Sequence, residues 1–135
     1  MFEDFLEAQD LVYPSVLAQL RAGRKQTHWM WFIFPQLADL GRSATAKRFG
    51  IADLDGAKAY ASHRILGARL RDCVALANAI EGRTAHEVFG SPDDLKFRSC
   101  LTLFLEATGE KLFADGLDRF YGGVGDPATL AIVRP

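Results

Sequence analysis

Residues 64–82 read RILGARLRDCVALANAIEG. Leu66, Leu70, Cys73, Val74, Ala77 and Ile80 recur at the three- and four-residue steps of one helical face, and Gly82 closes the run. This is an amphipathic helix over Arg64–Glu81. The same signal repeats along the chain. Ser91-Pro92-Asp93-Asp94 opens a second long helix with an N-cap serine, a proline at the first position and two acids in the first turn. Leu95, Phe97, Leu101, Phe104 and Leu105 carry that helix to Thr108, and Gly109 stops it.

Working outward, Phe2, Phe5, Leu6 and Gln9 predict a short first helix, and Pro14 opens a second that runs to Ala22 before Gly23. Thr27 is expected to cap a third helix carrying Trp29-Met30-Trp31-Phe32-Ile33-Phe34, ended by Pro35 and central in the core. Ser43 caps Ala44 to Phe49, and Asp53 caps a helix to Ser62. Thr84-Ala85-His86-Glu87 is a capping box. A further helix spans Glu110 to Phe120 before Gly122-Gly123, and Asp126-Pro127 opens a last turn or two. No stretch shows sustained apolar/polar alternation. The fold class is all-α: one compact domain over residues 1–135, about eight short helices joined by short loops.

Composition narrows the function classes. A chain of 135 residues, 49% apolar and 24% charged, is large enough to bury a core in one domain and is not disordered. Sixteen basic residues against 17 acidic ones give a net charge of −1, which demotes nucleic-acid binding by the surface as a whole. The acidic start Met1-Phe2-Glu3-Asp4 is unlike a secretory signal. The longest apolar run, Trp29 to Phe34, is far short of the roughly 20 residues of a membrane span. A cytoplasmic location without membrane contact is expected. Cys73 and Cys100 are far apart, and His28, His63 and His86 lack the spacing of a helical metal pair. Neither a metal nor a cofactor is expected.

The neutral total hides an asymmetry. Residues 21 to 48 hold Arg21, Arg24, Lys25, Arg42, Lys47 and Arg48 against Asp39, while the first ten residues hold four acids and no base. In the basic window, Arg24 and Lys25 precede His28, Trp29 and Trp31, a pattern that suits an anion: charge from Lys25 and Arg24, stacking on Trp29 or Trp31, proton transfer by His28. Around Ser91, Asp93 or Asp94 offers a carboxylate for acid–base work, and Lys96 and Arg98 offer cations. The i, i+3 spacing of Asp93 and Lys96 and the i, i+4 spacing of Asp94 and Arg98 also explain them as helix-stabilising pairs. Joined with Arg42, these residues make the expected site: His28 and Asp94 handling protons, and Lys25, Trp29, Arg42, Lys96 and Arg98 holding a small anionic, nucleotide- or sugar-phosphate-like ligand. The alternative is a non-enzymatic protein-interaction module that uses the basic and acidic faces. Cys100 sits among Phe97, Leu101 and Phe104 and reads as a buried, inert thiol.

Lys25–Leu37 (KQTHWMWFIFPQL), followed by Gly41-Arg42-Ser43, resembles the signature of the uncharacterised bacterial domain-of-unknown-function family 1810. Phe89-Gly90-Ser91-Pro92-Asp93-Asp94-Leu95-Lys96 and Phe120-Tyr121-Gly122-Gly123 resemble later blocks of that family in the same order. The chain departs from the family pattern at Arg64, where proline is usual, at Phe97, where leucine is usual, and at Cys100, where serine is usual. The resemblance implies a small all-helical domain with an armadillo-like, orthogonal arrangement. It implies no activity, so no site residue is carried over from it.

Overall fold

The structure, a computed structural model, describes residues 1–135. It has nine α-helices, a single 3-10 turn at Ala38–Leu40 and no strand beyond an isolated bridge between Leu37 and Ile51. The helices are α1 (Glu3–Ala22), α2 (Met30–Ile33), α3 (Ala44–Arg48), α4 (Leu54–Ser62) and α5 (Arg64–Asn78). They continue with α6 (Ala85–Phe89), α7 (Asp93–Thr108), α8 (Lys111–Tyr121) and α9 (Pro127–Val133). No helix is long and apolar enough to cross a membrane.

The two long amphipathic stretches organise the rest. The α7 helix packs against α4, α6, α8 and α9, and α5 packs against α1, α4 and α8. Phe97, Cys100, Leu101, Leu103 and Phe104 on α7 and Leu66, Leu70, Cys73, Val74 and Ala77 on α5 are buried in one continuous apolar cluster of 29 residues. Gly67 lets the two neighbours α4 and α5 meet closely, because a Cβ there would collide with the carbonyl oxygen of Ala61. Burial pushes the Cys73 thiol up to about 12 and that of Cys100 well above the ordinary value, so both cysteines are inert.

Local signals hold in most of the chain. Ser43 accepts from the Ala46 N–H, Asp53 from Gly56 and Asp126 from Thr129, and the Thr84–Glu87 capping box is closed in both directions. Three expectations are corrected. The two helices expected before Gly23 are one, α1, with Pro14 inside it. Phe5, Gln9, Val16 and Leu20 keep one helical phase across the proline, and Pro14 itself faces solvent. Burial of that continuous stripe outweighs the one hydrogen bond the proline removes. Thr27 caps no helix: α2 is a four-residue helix that starts after Trp29. Ser91 does not cap α7 either. The Ser91–Pro92 peptide is cis, and backbone carbonyls take the bonds expected of the serine. Gly90 accepts from the Asp94 N–H, and Pro92 accepts from Leu95.

Candidate functional site

The segment between α1 and α2 is held by one buried side chain, Gln19. A glycine in the left-handed conformation, Gly23, ends α1, with its N–H donating to the Leu20 carbonyl and the Arg24 N–H donating to that of Gln19. The chain then folds back over the amide of Gln19. Its Oε1 accepts from the backbone N–H of Gln26 (2.7 Å), that of Thr27 (3.2 Å) and the Trp29 indole (2.8 Å). Its Nε2 donates to the Thr27 hydroxyl (2.8 Å) and to Ser15 (3.1 Å). One amide thereby replaces the first turn of the helix that the sequence suggests from Thr27, and only Met30–Ile33 stay helical. Lys25 is fixed in addition through its backbone N–H, which donates to the Val88 carbonyl at 2.8 Å.

This arrangement brings Lys25 to the first turn of α7. Its ammonium lies 2.9 Å from Asp93 Oδ2, while the Lys96 ammonium lies 3.5 Å from Oδ1 of the same carboxylate. Both lysine side chains are largely buried, at 9% and 18% exposed. The rings take part too: Lys96 Nζ stands 3.5 Å above the centre of Trp31, and Lys25 Nζ lies 5.5 Å from that of Trp29. Lys25, His28, Met30, Trp31, Asp93 and Lys96 line a cleft of about 160 Å³. Two ammonium groups share one carboxylate, so the cleft carries a net positive charge before His28 is counted.

Of the residues singled out from the sequence, Lys25, His28 and Lys96 therefore converge. Trp29 does not reach the cleft as a stacking surface. It is 1% exposed and its N–H is committed to Gln19, and the half-buried Trp31 lines the cleft instead. Asp94 turns away. Its carboxylate faces His86 at 3.6 Å and caps the Leu95 N–H, and its backbone carbonyl accepts from the Tyr121 hydroxyl. Arg98 binds the loop before α9, donating to the carbonyls of Val124 (2.9 Å) and Gly125 (3.0 Å). Arg42 is exposed before α3 and is not among the cleft residues. The sequence reading missed Gln19 and the ion pair of Lys25 with Asp93, and placed Trp29 rather than its alternative Trp31 in the site. A glutamine flanking the apolar stripe of Val16, Leu17 and Leu20 was the available signal for the first. No group of histidine, cysteine and carboxylate side chains is arranged to hold a metal.

Comparison with known proteins gives a family and no activity. A family model described as "Protein of unknown function (DUF1810)" matches residues 1–133. The crystal structure of a conserved hypothetical protein from Mycobacterium tuberculosis is 48% identical in sequence and superposes with a TM-score of 0.97. That match covers 98% of this chain and 96% of the other. No curated protein matches.

Proposed function

The chain belongs to the DUF1810 family, and from the geometry of its cleft we propose that it binds a small phosphorylated or carboxylated anion between the 24–29 segment and the start of α7. The observation that carries this reading is the pair of largely buried ammonium groups, Lys25 and Lys96, sharing the single carboxylate of Asp93. Charges withdrawn from water without full neutralisation are costly, and an arriving anion offsets that cost. Lys25 and Lys96 hold the anion as point charges, Trp31 fixes Lys96, and His28 at the exposed rim adds a donor. With Trp29 buried and the face of Trp31 under Lys96, a nucleobase has no ring to stack on, which favours a sugar phosphate over a nucleotide. Two free buried thiols and the absence of a membrane-crossing helix favour the cytoplasm as its place of action.

Thermal melting with inorganic phosphate and ribose 5-phosphate tests the reading. Saturation at about 100 times the Kd adds roughly 2.7 kcal/mol of stability and raises the melting temperature. The rise is expected in the native chain and is smaller in Lys25→Ala and Lys96→Ala. An unchanged melting temperature in the native chain, or an equal rise in both variants, overturns it.

A second reading, a protein-interaction face, rests on Leu11. This side chain is 85% exposed in a depression of about 540 Å³ with Glu7, Ala8, Asp10, Arg48 and Phe49. A concentration-dependent dimer in light scattering that disappears in Leu11→Glu supports it. A monomer at every concentration removes self-association from this face.

A further inference from the structure

Around the loop between α5 and α6, three arginines, Arg24, Arg83 and Arg119, stand with two carboxylates, Glu81 and Glu87, and leave an excess of one positive charge. Arg24, Arg83 and Glu87 line a cavity of about 290 Å³. Glu81, Gly82, Arg83, Thr84, Glu87 and Arg119 line a second, of about 400 Å³. The two share Arg83 and Glu87, and neither has an apolar residue in its wall. They share no residue with the lysine cleft, although Arg24 and Lys25 are consecutive in the chain.

The arginines are positioned by neutral partners. Arg83 Nη1 donates to the Gly23 carbonyl at 2.9 Å. Arg119 donates to the Ile80 carbonyl through Nε (3.1 Å) and Nη2 (2.5 Å), and to the Arg83 carbonyl through Nη2 (3.2 Å). Arg24 spends no side-chain donor on the protein, and none of the three appears in an ion pair. Carbonyl bonds fix a guanidinium without cancelling its charge, so the fork remains available to an oxyanion. The carboxylates stand in the same walls, Glu87 in both and Glu81 in the second. Glu87 accepts from the Thr84 N–H at 2.9 Å, and this bond, with the nearby charge of Arg83, lowers its pKa and keeps it ionised. Ionised carboxylates accept hydrogen bonds only, so they repel a phosphate but suit hydroxyl groups.

We propose that Arg24, Arg83, Arg119, Glu81 and Glu87 form a second site that takes a phosphorylated sugar, the arginines holding the phosphate and the glutamates accepting the sugar hydroxyls. The wholly polar wall leaves no surface for a nucleobase. This site stands independently of the lysine cleft.

The test is an NMR titration of the full chain with glucose 6-phosphate and, separately, inorganic phosphate, following the backbone amides of Gly82 and Thr84. Glucose 6-phosphate is expected to shift both amides and to bind more tightly than phosphate. Arg24→Ala, an exposed change that breaks no internal bond, weakens both ligands about tenfold, the size of one lost charge-assisted hydrogen bond. Glu81→Gln weakens glucose 6-phosphate alone, and Lys25→Ala leaves these amides responding as before. Unmoved Gly82 and Thr84 amides overturn the site. So does a response lost in Lys25→Ala and retained in Arg24→Ala. Equal affinity for phosphate and glucose 6-phosphate overturns the sugar.

Discussion

Residues 1–40 and residues 43–133 are built by different physics. In the second region each helix but α5, α7 and α8 begins at a Ser, Thr or Asp that accepts a backbone N–H within its own first turn. In the first region the organising groups are two buried glutamines that reach across the fold. Gln19 collects the 26–29 segment. Gln9 donates to the Phe32 carbonyl (2.7 Å) and the Tyr60 hydroxyl (3.1 Å) and accepts from Arg69 at 3.3 Å. The lysine cleft lies where the two regions meet, with Lys25 from one and Asp93 and Lys96 from the other. The first turn of α7 supplies one wall, and a side-chain-knotted loop supplies the part of the site that no local rule specifies.

The contrast predicts unequal costs for removing one side chain. Gln19→Ala strands three donors, one of them the buried Trp29 indole, and is expected to cost about 3 kcal/mol, near the upper range for a donor left buried and unsatisfied. Denaturant unfolding measures it. A loss no larger than that of an ordinary cap would erase the distinction between the regions. In the capped region, Thr84→Ala and Asp126→Ala should each cost about 1 kcal/mol by the same measurement. A collapse of the fold on losing either cap would show that this region is not locally encoded.

The smallest effect is expected at the surface pair that ties α5 to the start of α8. Arg71 donates to both oxygens of Glu110, at 2.8 Å and 2.7 Å, and this holds the Glu110 carboxyl below its ordinary value. A depressed carboxyl contributes stability above its unfolded pKa, about 4.3, and loses it as pH falls through the folded value. Glu110→Gln should therefore cost less than about 1 kcal/mol at neutral pH and flatten the acid limb of stability below about pH 4. Identical acid limbs in the two proteins would remove this pair from the account.

The same division decided what was legible from sequence. Ser43, Asp53, Thr84 and Asp126 act within three residues of themselves, so their types and spacing revealed the helices they start. Gly23, Gly109 and Gly122 marked helix ends for the same reason, each adopting the left-handed conformation. The cap of α5 was not visible, because it is the Nδ1 of His63, which accepts from the Ile65 and Leu66 N–H groups and is an uncommon choice there. Pro14 misled because its local cost was legible and the buried stripe that outweighs it is a tertiary property. Of the site, the charged residues Lys25 and Lys96 could be picked out by chemistry. The pairing of Lys25 with Asp93 and the choice of Trp31 over Trp29 depend on how Gln19 folds the loop.

The most direct measurement of the central claim uses the two tryptophans, the only ones in the chain. Their indole N–H signals are resolved by NMR during a titration with inorganic phosphate. An anion seated on Lys25 and Lys96 moves the Trp31 signal, whose ring lies under Lys96, and leaves that of Trp29 nearly still, because its N–H is bound to Gln19. If the Trp31 signal stays in place up to saturating phosphate, or the Trp29 signal moves alone, the anion does not bind in the lysine cleft.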